Sequence, residues 1–375
     1  MIRHFFFTFL LAGVATAGAS AQTSTLKEAF KDDFYVGAAM NQAQISEKDA
    51  RGLKLITQHF NSISPENALK WEKVHPKPNQ FNFGPADKYV EFGVKHHMFI
   101  VGHTLVWHNQ TPKWVFEDAK GKSLTREALL KRMHDHITTV VRRYKGRING
   151  WDVVNEALDE DGNLRDSPWK RIIGDDYVEK AFQYAHETDP KAELYYNDYN
   201  LEHESKRKGA IKLIEKLKSE GIPVHAVGLQ GHDTLDWPSA KDQDETIAAF
   251  EKAGVKVAIT ELDITVLPAA TKQPTAEITT KAKADPKLNP YTAGLPEDVQ
   301  KKLAAHYAEL FEVFVKHRDT VERVTFWGVT DADSWKNNWP VPGRTDYPLL
   351  FDRNGAPKLA FEAVIGTAGT PSTSK

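Results

Sequence analysis

Residues 193–232 read ELYYNDYNLEHESKRKGAIKLIEKLKSEGIPVHAVGLQGH, and they hold one full repeat of the unit that decides the fold. Glu193 to Tyr199 is a short apolar and aromatic run that turns polar at Asn197-Asp198, the pattern of a buried strand. From Ser205 to Ser219 the apolar residues return every three or four positions, which predicts a helix. Glu220-Gly221-Ile222-Pro223 ends it, because glycine accepts the left-handed conformation that closes a helix and proline cannot continue one. A new apolar run then begins, from Ala226 to His232.

The same beat extends in both directions. Strand-like runs occur at Phe34 to Met40, Phe60 to Glu66, Met98 to Trp107, Ile148 to Glu156, Lys256 to Ile264 and Val321 to Asp331. Helical periodicity fills Arg126 to Tyr144, Asp176 to Thr188, Glu245 to Ala253 and Asp298 to His317. Strand then helix, eight times, predicts an α/β fold, a single (β/α)8 TIM barrel whose strands are buried on both faces. An open doubly wound sheet is the alternative. No Gly-, Pro- or Ser-rich linker divides the chain, so one catalytic domain is expected over residues 22–366. Pro268 to Pro296, rich in Pro, Thr, Lys and Ala, reads as a long insertion after the seventh strand, and residues 367–375 read as a disordered tail. Neither segment is expected to be catalytic.

Arg3, the apolar run Phe5 to Leu11 and the small residues ending in Ala19-Ser20-Ala21 form the pattern of a secretory signal peptide, cleaved after Ala21. A secreted or periplasmic location follows as an expectation, with no membrane anchor in the mature form. The sequence contains 0 cysteines, which leaves the hydrophobic core to hold the fold without bridges. A formal net charge of −2 makes no electrostatic case for nucleic acid. An uncharged partner and a monomeric enzyme are expected.

Active sites of such barrels lie where the strands end, and polar residues crowd those positions here. The second strand ends at Glu66-Asn67, with Lys70 beyond it; the third carries His103 and Trp107; the fourth ends Asn155-Glu156. Asn197, Gln230-Gly231-His232, Glu261-Leu262-Asp263 and Trp327 follow on the later strands, then Trp335. One carboxylate at a strand end is as often a helix cap or an ion-pair partner. Period-two alternation, however, puts Glu261 with Asp263, Gln230 with His232 and His103 with Trp107 on shared faces. Glycoside hydrolysis needs two carboxyl groups about the scissile bond, and Glu156 and Glu261 are the expected pair. A gap of about 5–5.5 Å between them predicts retention of anomeric configuration, and one of about 6.5–9.5 Å predicts inversion.

Glu66-Asn67-x-x-Lys70-Trp71, Gly102-His103-Thr104-Leu105-Val106-Trp107-His108, Trp151-Asp152-Val153-Val154-Asn155-Glu156-Ala157 and Ile259-Thr260-Glu261-Leu262-Asp263 together resemble family 10 of the glycoside hydrolases, the barrel-fold endo-β-1,4-xylanases. The likeness covers nearly the whole mature chain. It implies a retaining double displacement with Glu261 as nucleophile and Glu156 as acid, then base. It further implies that Glu66, Asn67, Lys70, His103, Trp107 and Gln110 bind the non-reducing side of the substrate, that Asn155 holds a sugar 2-hydroxyl, and that Trp327 and Trp335 wall the central subsites. His232, oriented by Asp263, would hold Glu261 in place. Xylan and xylo-oligosaccharides are the implied partners, with no metal and no organic cofactor.

Three rivals remain from the residues alone: a β-1,4-glucanase of the same mechanism, a metal-dependent hydrolase and a sugar-binding protein without catalysis. The 15 His raise the second, but His134-Asp135-His136 lies on a helix, where residues two apart point in different directions, and no His-x-x-x-His carrying a Glu occurs. The paired glutamates argue against the third.

Overall fold

The computed structural model describes residues 24–270 and 277–369. The leader over residues 1–21, residues 271–276 of the insertion and most of the expected tail lie outside the described residues. Nine strands appear: β1 (Tyr35–Met40), β2 (Ser62–Pro65), β3 (Phe99–Trp107), β4 (Gly150–Asn155), β5 (Glu193–Asp198), β6 (Ala226–Leu229), β7 (His232–Thr234), β8 (Lys256–Thr265) and β9 (Val321–Phe326). Their order is β6-β5-β4-β3-β2-β1-β9-β8, all pairs are parallel, and β6 pairs with β8 to close the ring. β7 continues the line of β6, so the molecule is the expected (β/α)8 barrel of eight staves.

The expected single strand from Ala226 to His232 is broken for a local reason. Gly231 has φ +73, which interrupts the ladder after Leu229 and lets His232 resume it opposite Asp263. A similar left-handed glycine, Gly328 at φ +136, ends β9 at Phe326 and not at Asp331. The helix expected from Glu245 begins earlier, at Ala240, because Ser239 and Asp242 form a reciprocal cap. Helix Arg126–Tyr144 stands where the periodicity put it. The last helix, Leu359–Thr367, runs through the start of the segment read as tail.

The strands are buried on both faces, as parallel staves between a filled interior and a helical jacket must be. The burial pattern of β4 is unbroken from Gly150 to Asn155. Close packing explains one glycine: a Cβ on Gly102 would stand 2.1 Å from the Trp151 ring, so β3 can lie against the β4 indole only with hydrogen at that position. This fixes the two strands that carry Trp107 and Glu156. The insertion leaves β8 and ends at helix Glu297–Lys316. Its described part is pinned to the loop after β9 by Ala282 N to Pro340 O at 3.1 Å and Tyr347 Oη to Tyr291 O at 2.7 Å.

Candidate active site

The strand ends converge on one cleft. Glu156 and Glu261 both line it, with Glu66, Asn67, Lys70, His103, Trp107, Gln110, Asn155, Gln230, His232, Trp327 and Trp335 around them. Residues from β2, β3, β4, β6, β7, β8 and β9 or the turns beyond them thus share one wall, and the two glutamates face a single space.

Glu261 lies on β8, and Asn197 Nδ2 donates to its Oε1 at 2.8 Å. His232 Nε2 lies 3.3 Å from Oε2, and the other ring nitrogen is 3.0 Å from Asp263 Oδ1. Asp263 is in turn bonded by Trp335 Nε1 at 2.7 Å, with Lys336 Nζ at 3.5 Å. The expected chain from Asp263 through His232 to Glu261 is therefore present. Burial alone would raise the Glu261 carboxyl, but the His232 hydrogen bond and the charges of His103, His232 and Lys70 hold it below the ordinary glutamate value. It stays ionised.

Glu156 is treated differently by its surroundings. It follows β4 with φ +57, an uncommon conformation for a side chain of this size. Glu156 N donates to Asn197 O at 2.8 Å, and Arg165 Nε donates to Glu156 O at 3.1 Å, so both backbone groups of the strained residue are held. Its carboxylate accepts from Trp107 Nε1 at 2.8 Å, Gln230 Nε2 at 3.1 Å and Asn155 Nδ2 at 3.1 Å. Burial raises its pKa; His108 and the Gln230 and Trp107 bonds oppose the rise, and Asp198 adds to it. The net direction is upward, so the two glutamates are pushed apart, one toward acid and one toward ionised nucleophile.

A short relay ties them together. Asn197 Nδ2 is bonded both to Glu261 Oε1 and to Asn155 Oδ1, each at 2.8 Å, and Asn155 reaches Glu156. Asn197, expected among the substrate-binding residues, is fully buried, and its side-chain oxygen accepts from Thr260 Oγ1 at 2.6 Å. It braces the site from beneath.

On the β2 and β3 side, Lys70 Nζ donates to Gln110 Oε1 at 3.0 Å and lies 4.9 Å from the Trp107 ring centroid. Gln110 also donates to Asn67 at 3.2 Å and Glu72 at 3.1 Å. His103 Nδ1 is 2.9 Å from Asp152 Oδ2, which fixes its ring beside Trp327, 5.3 Å away. Asp152, Arg165 and Tyr199 are parts the sequence reading missed. Arg165 joins the backbone of Glu156 to the Tyr199 hydroxyl at 2.9 Å. Ile278 and Glu277, in the insertion, are further residues the sequence reading did not single out: Ile278 lines the cleft. Glu277 accepts from Arg165 Nη1 at 3.2 Å and Asn109 Nδ2 at 3.0 Å.

His108, Glu156 and Glu277 have potential ligand atoms within 4.8 Å of one another. The trio's own chemistry already answers its charge, because Glu277 pairs with Arg165 and lies 3.3 Å from His108 Nε2.

Comparison with known proteins agrees with this geometry. Residues 25–367 match the family described as Glycosyl hydrolase family 10. The chain is 45% identical over 349 residues to "Endo-1,4-beta-xylanase A" of Xylanibacter ruminicola, covering 93% of this chain and 95% of that one. A solved GH10 endoxylanase retrieved from a sugarcane soil metagenome superposes with a TM-score of 0.89 at 48% identity, covering 91% of this chain and 99% of that one. A mutant solved in complex with xylotriose superposes at 0.81 with 39% identity, covering 92% and 99%.

Proposed function

The chain belongs to glycosyl hydrolase family 10, and on that premise we propose that Glu261 attacks the anomeric carbon of a xylan chain while Glu156 gives its proton to the departing oxygen. The protein is an endo-1,4-β-xylanase of the retaining kind. In the first step the Glu261–C1 bond forms, the glycosidic C–O bond breaks, and the Glu156 proton leaves with the new hydroxyl. Glycosylation removes the Glu261 charge, and Glu156, now free to ionise, takes a proton from water as that water attacks C1. Two inversions restore the starting configuration. The observation that carries this reading is the opposite treatment of two glutamates in one cleft.

Xylo-oligosaccharides are its ligands. Trp327 and Trp335 supply faces against which a pyranose ring can pack, and a bulky indole beside the exocyclic carbon favours xylose, which lacks the hydroxymethyl group of glucose. The reading extends to an exported enzyme, supported by the Arg3, Phe5 to Leu11 and Ala19-Ser20-Ala21 pattern. It extends to a monomer as well, since few large apolar side chains are exposed among the described residues, namely Tyr35, Val94 and Leu359.

Reducing ends released from soluble xylan and from carboxymethyl-cellulose, each with and without a chelator, test it. Release from xylan that the chelator does not touch is expected. Preference for the cellulose would replace xylanase by glucanase, chelator sensitivity would point to a metal, and silence on both would leave a binding protein. Glu261→Ala should be dead on every substrate. Glu156→Ala should glycosylate quickly on an aryl xyloside whose leaving group needs no acid, then stall.

A further inference from the structure

We infer that Ile278 is a substrate-binding residue of the cleft and that Glu277 positions it by tying the insertion across the barrel mouth. The inference rests on the cleft being where a sugar chain is cut. In the ring, β8 and β3 stand four staves apart by either route, so the insertion that leaves β8 and meets residues following β3 has crossed to the opposite rim. Glu277 makes that crossing fast. Its Oε1 accepts from Asn109 Nδ2 at 3.0 Å, just past β3, and its Oε2 from Arg165 Nη1 at 3.2 Å, past β4. Oε2 also lies 3.3 Å from His108 Nε2. On its own segment, Oε1 accepts from the Thr279 backbone at 3.2 Å and hydroxyl at 3.0 Å.

This closes a small loop about Ile278, which is left lining the same cleft as Glu156. The chain then returns to the near rim, where Ala282 N donates to Pro340 O at 3.1 Å. Burial would raise the Glu277 carboxyl, but the bonds from His108, Thr279 and Asn109 hold it well below the ordinary glutamate range. The tie is therefore charged across the working pH range and faces a guanidinium that never loses its own charge.

Ile278 differs in kind from its neighbours. The other described residues that line the cleft are carboxylates, amides, imidazoles, an ammonium and indoles, and among the described residues Ile278 is the one aliphatic side chain there. Such a group gives no hydrogen bond and selects by contact with C–H surface, whose loss is felt by bound substrate and transition state alike. Its removal is thus read in KM and not in kcat.

The test is steady-state kinetics on xylohexaose with Ile278→Ala, Ile278→Val, Glu277→Gln and the double variant Glu277→Gln/Ile278→Ala, all checked for an unchanged melting curve. Ile278→Ala is expected to raise KM about three- to tenfold with kcat within about twofold, and Ile278→Val to restore the wild-type KM. Glu277→Gln should raise KM in the same direction. The double variant should then be no worse than Ile278→Ala alone, because a tie that acts through Ile278 has nothing left to position. An unchanged KM for Ile278→Ala overturns the proposal, as does a loss confined to kcat. Multiplying effects in the double variant would overturn the role of Glu277. If the wild type cuts a soluble glucan and not xylan, the substrate reading fails, and the same four variants on that glucan still decide Ile278.

Discussion

At the residue scale, the two glutamates make a definite statement about pH. The free enzyme reacts when Glu261 is ionised and Glu156 protonated, so kcat/KM climbs as pH rises through the Glu261 value, which lies below the ordinary 4.5. It falls as pH passes the Glu156 value, raised above 4.5 by burial. A bell between those limits is expected, and the alkaline limb should vanish for Glu156→Gln on an aryl xyloside with a good leaving group. Persistence of that limb in Glu156→Gln would assign it to another group. Both glutamates were legible in the sequence because a strand end fixes where a residue points. Asp263 was legible through its period-two spacing from Glu261 on one strand. Arg165, Glu277 and Ile278 were not, since loop residues obey no period and their partners lie far away in the chain. Asn197 was legible as a strand-end residue, whereas its full burial depends on partners from other strands and shows only in the fold.

At the scale of elements, the site leans on a stack that carries its own pH dependence. Trp71, in the helix Trp71–Val74 next to Lys70, lies on His136 of helix Arg126–Tyr144 with ring centroids 3.6 Å apart. His75 Nδ1 meets His136 Nδ1 at 3.1 Å, a contact that works only if one ring donates and the other accepts, so the two rings are never both protonated while it holds. Burial lowers His75 from 6.5 to about 4 and His136 well below 6.5. Because the folded values lie beneath the unfolded one, the unfolded chain binds these protons first. Their contribution is intact above pH 6.5 and is lost progressively as pH falls toward 4. The melting temperature should drop by a few degrees over that interval, and His136→Phe should flatten the slope; an equally steep acid slope in that variant would clear the pair of responsibility. The barrel staves were readable because strands buried on both faces form apolar runs. The break at Gly231 was not, since a glycine in such a run looks the same whether it packs closely, as Gly102 does, or turns the chain.

For the whole molecule, the two ends of the barrel carry separate duties, and a substitution at one should leave the other alone. Catalytic groups occupy the C-terminal ends of the strands. At the opposite end the chain must join its first unit to its last, where β1 pairs with β9, and with 0 cysteines it does so by packing. The short helix Leu26–Ala29 and Phe30 form that joint: Leu26 and Phe30 are fully buried. The Phe30 ring lies 5.1 Å from Phe34, just before β1, and 5.3 Å from Phe311 on helix Glu297–Lys316. Phe311 in turn stacks on Phe326 of β9 at 6.0 Å, so a single aromatic chain runs from the first helix to the last strand. Phe30→Ala removes its first link and leaves a cavity that packed neighbours cannot fill, at a cost of about 3–5 kcal/mol and a melting temperature lower by roughly 5–15 °C. Well below that melting point kcat/KM on xylan should match the wild type, because the rings that touch Phe30, those of Phe34 and Phe311, line no part of the cleft. Calorimetry and kinetics on the same sample decide it: an unmoved melting temperature would deny the joint its role, and a parallel loss of activity at 25 °C would show that the two ends are coupled.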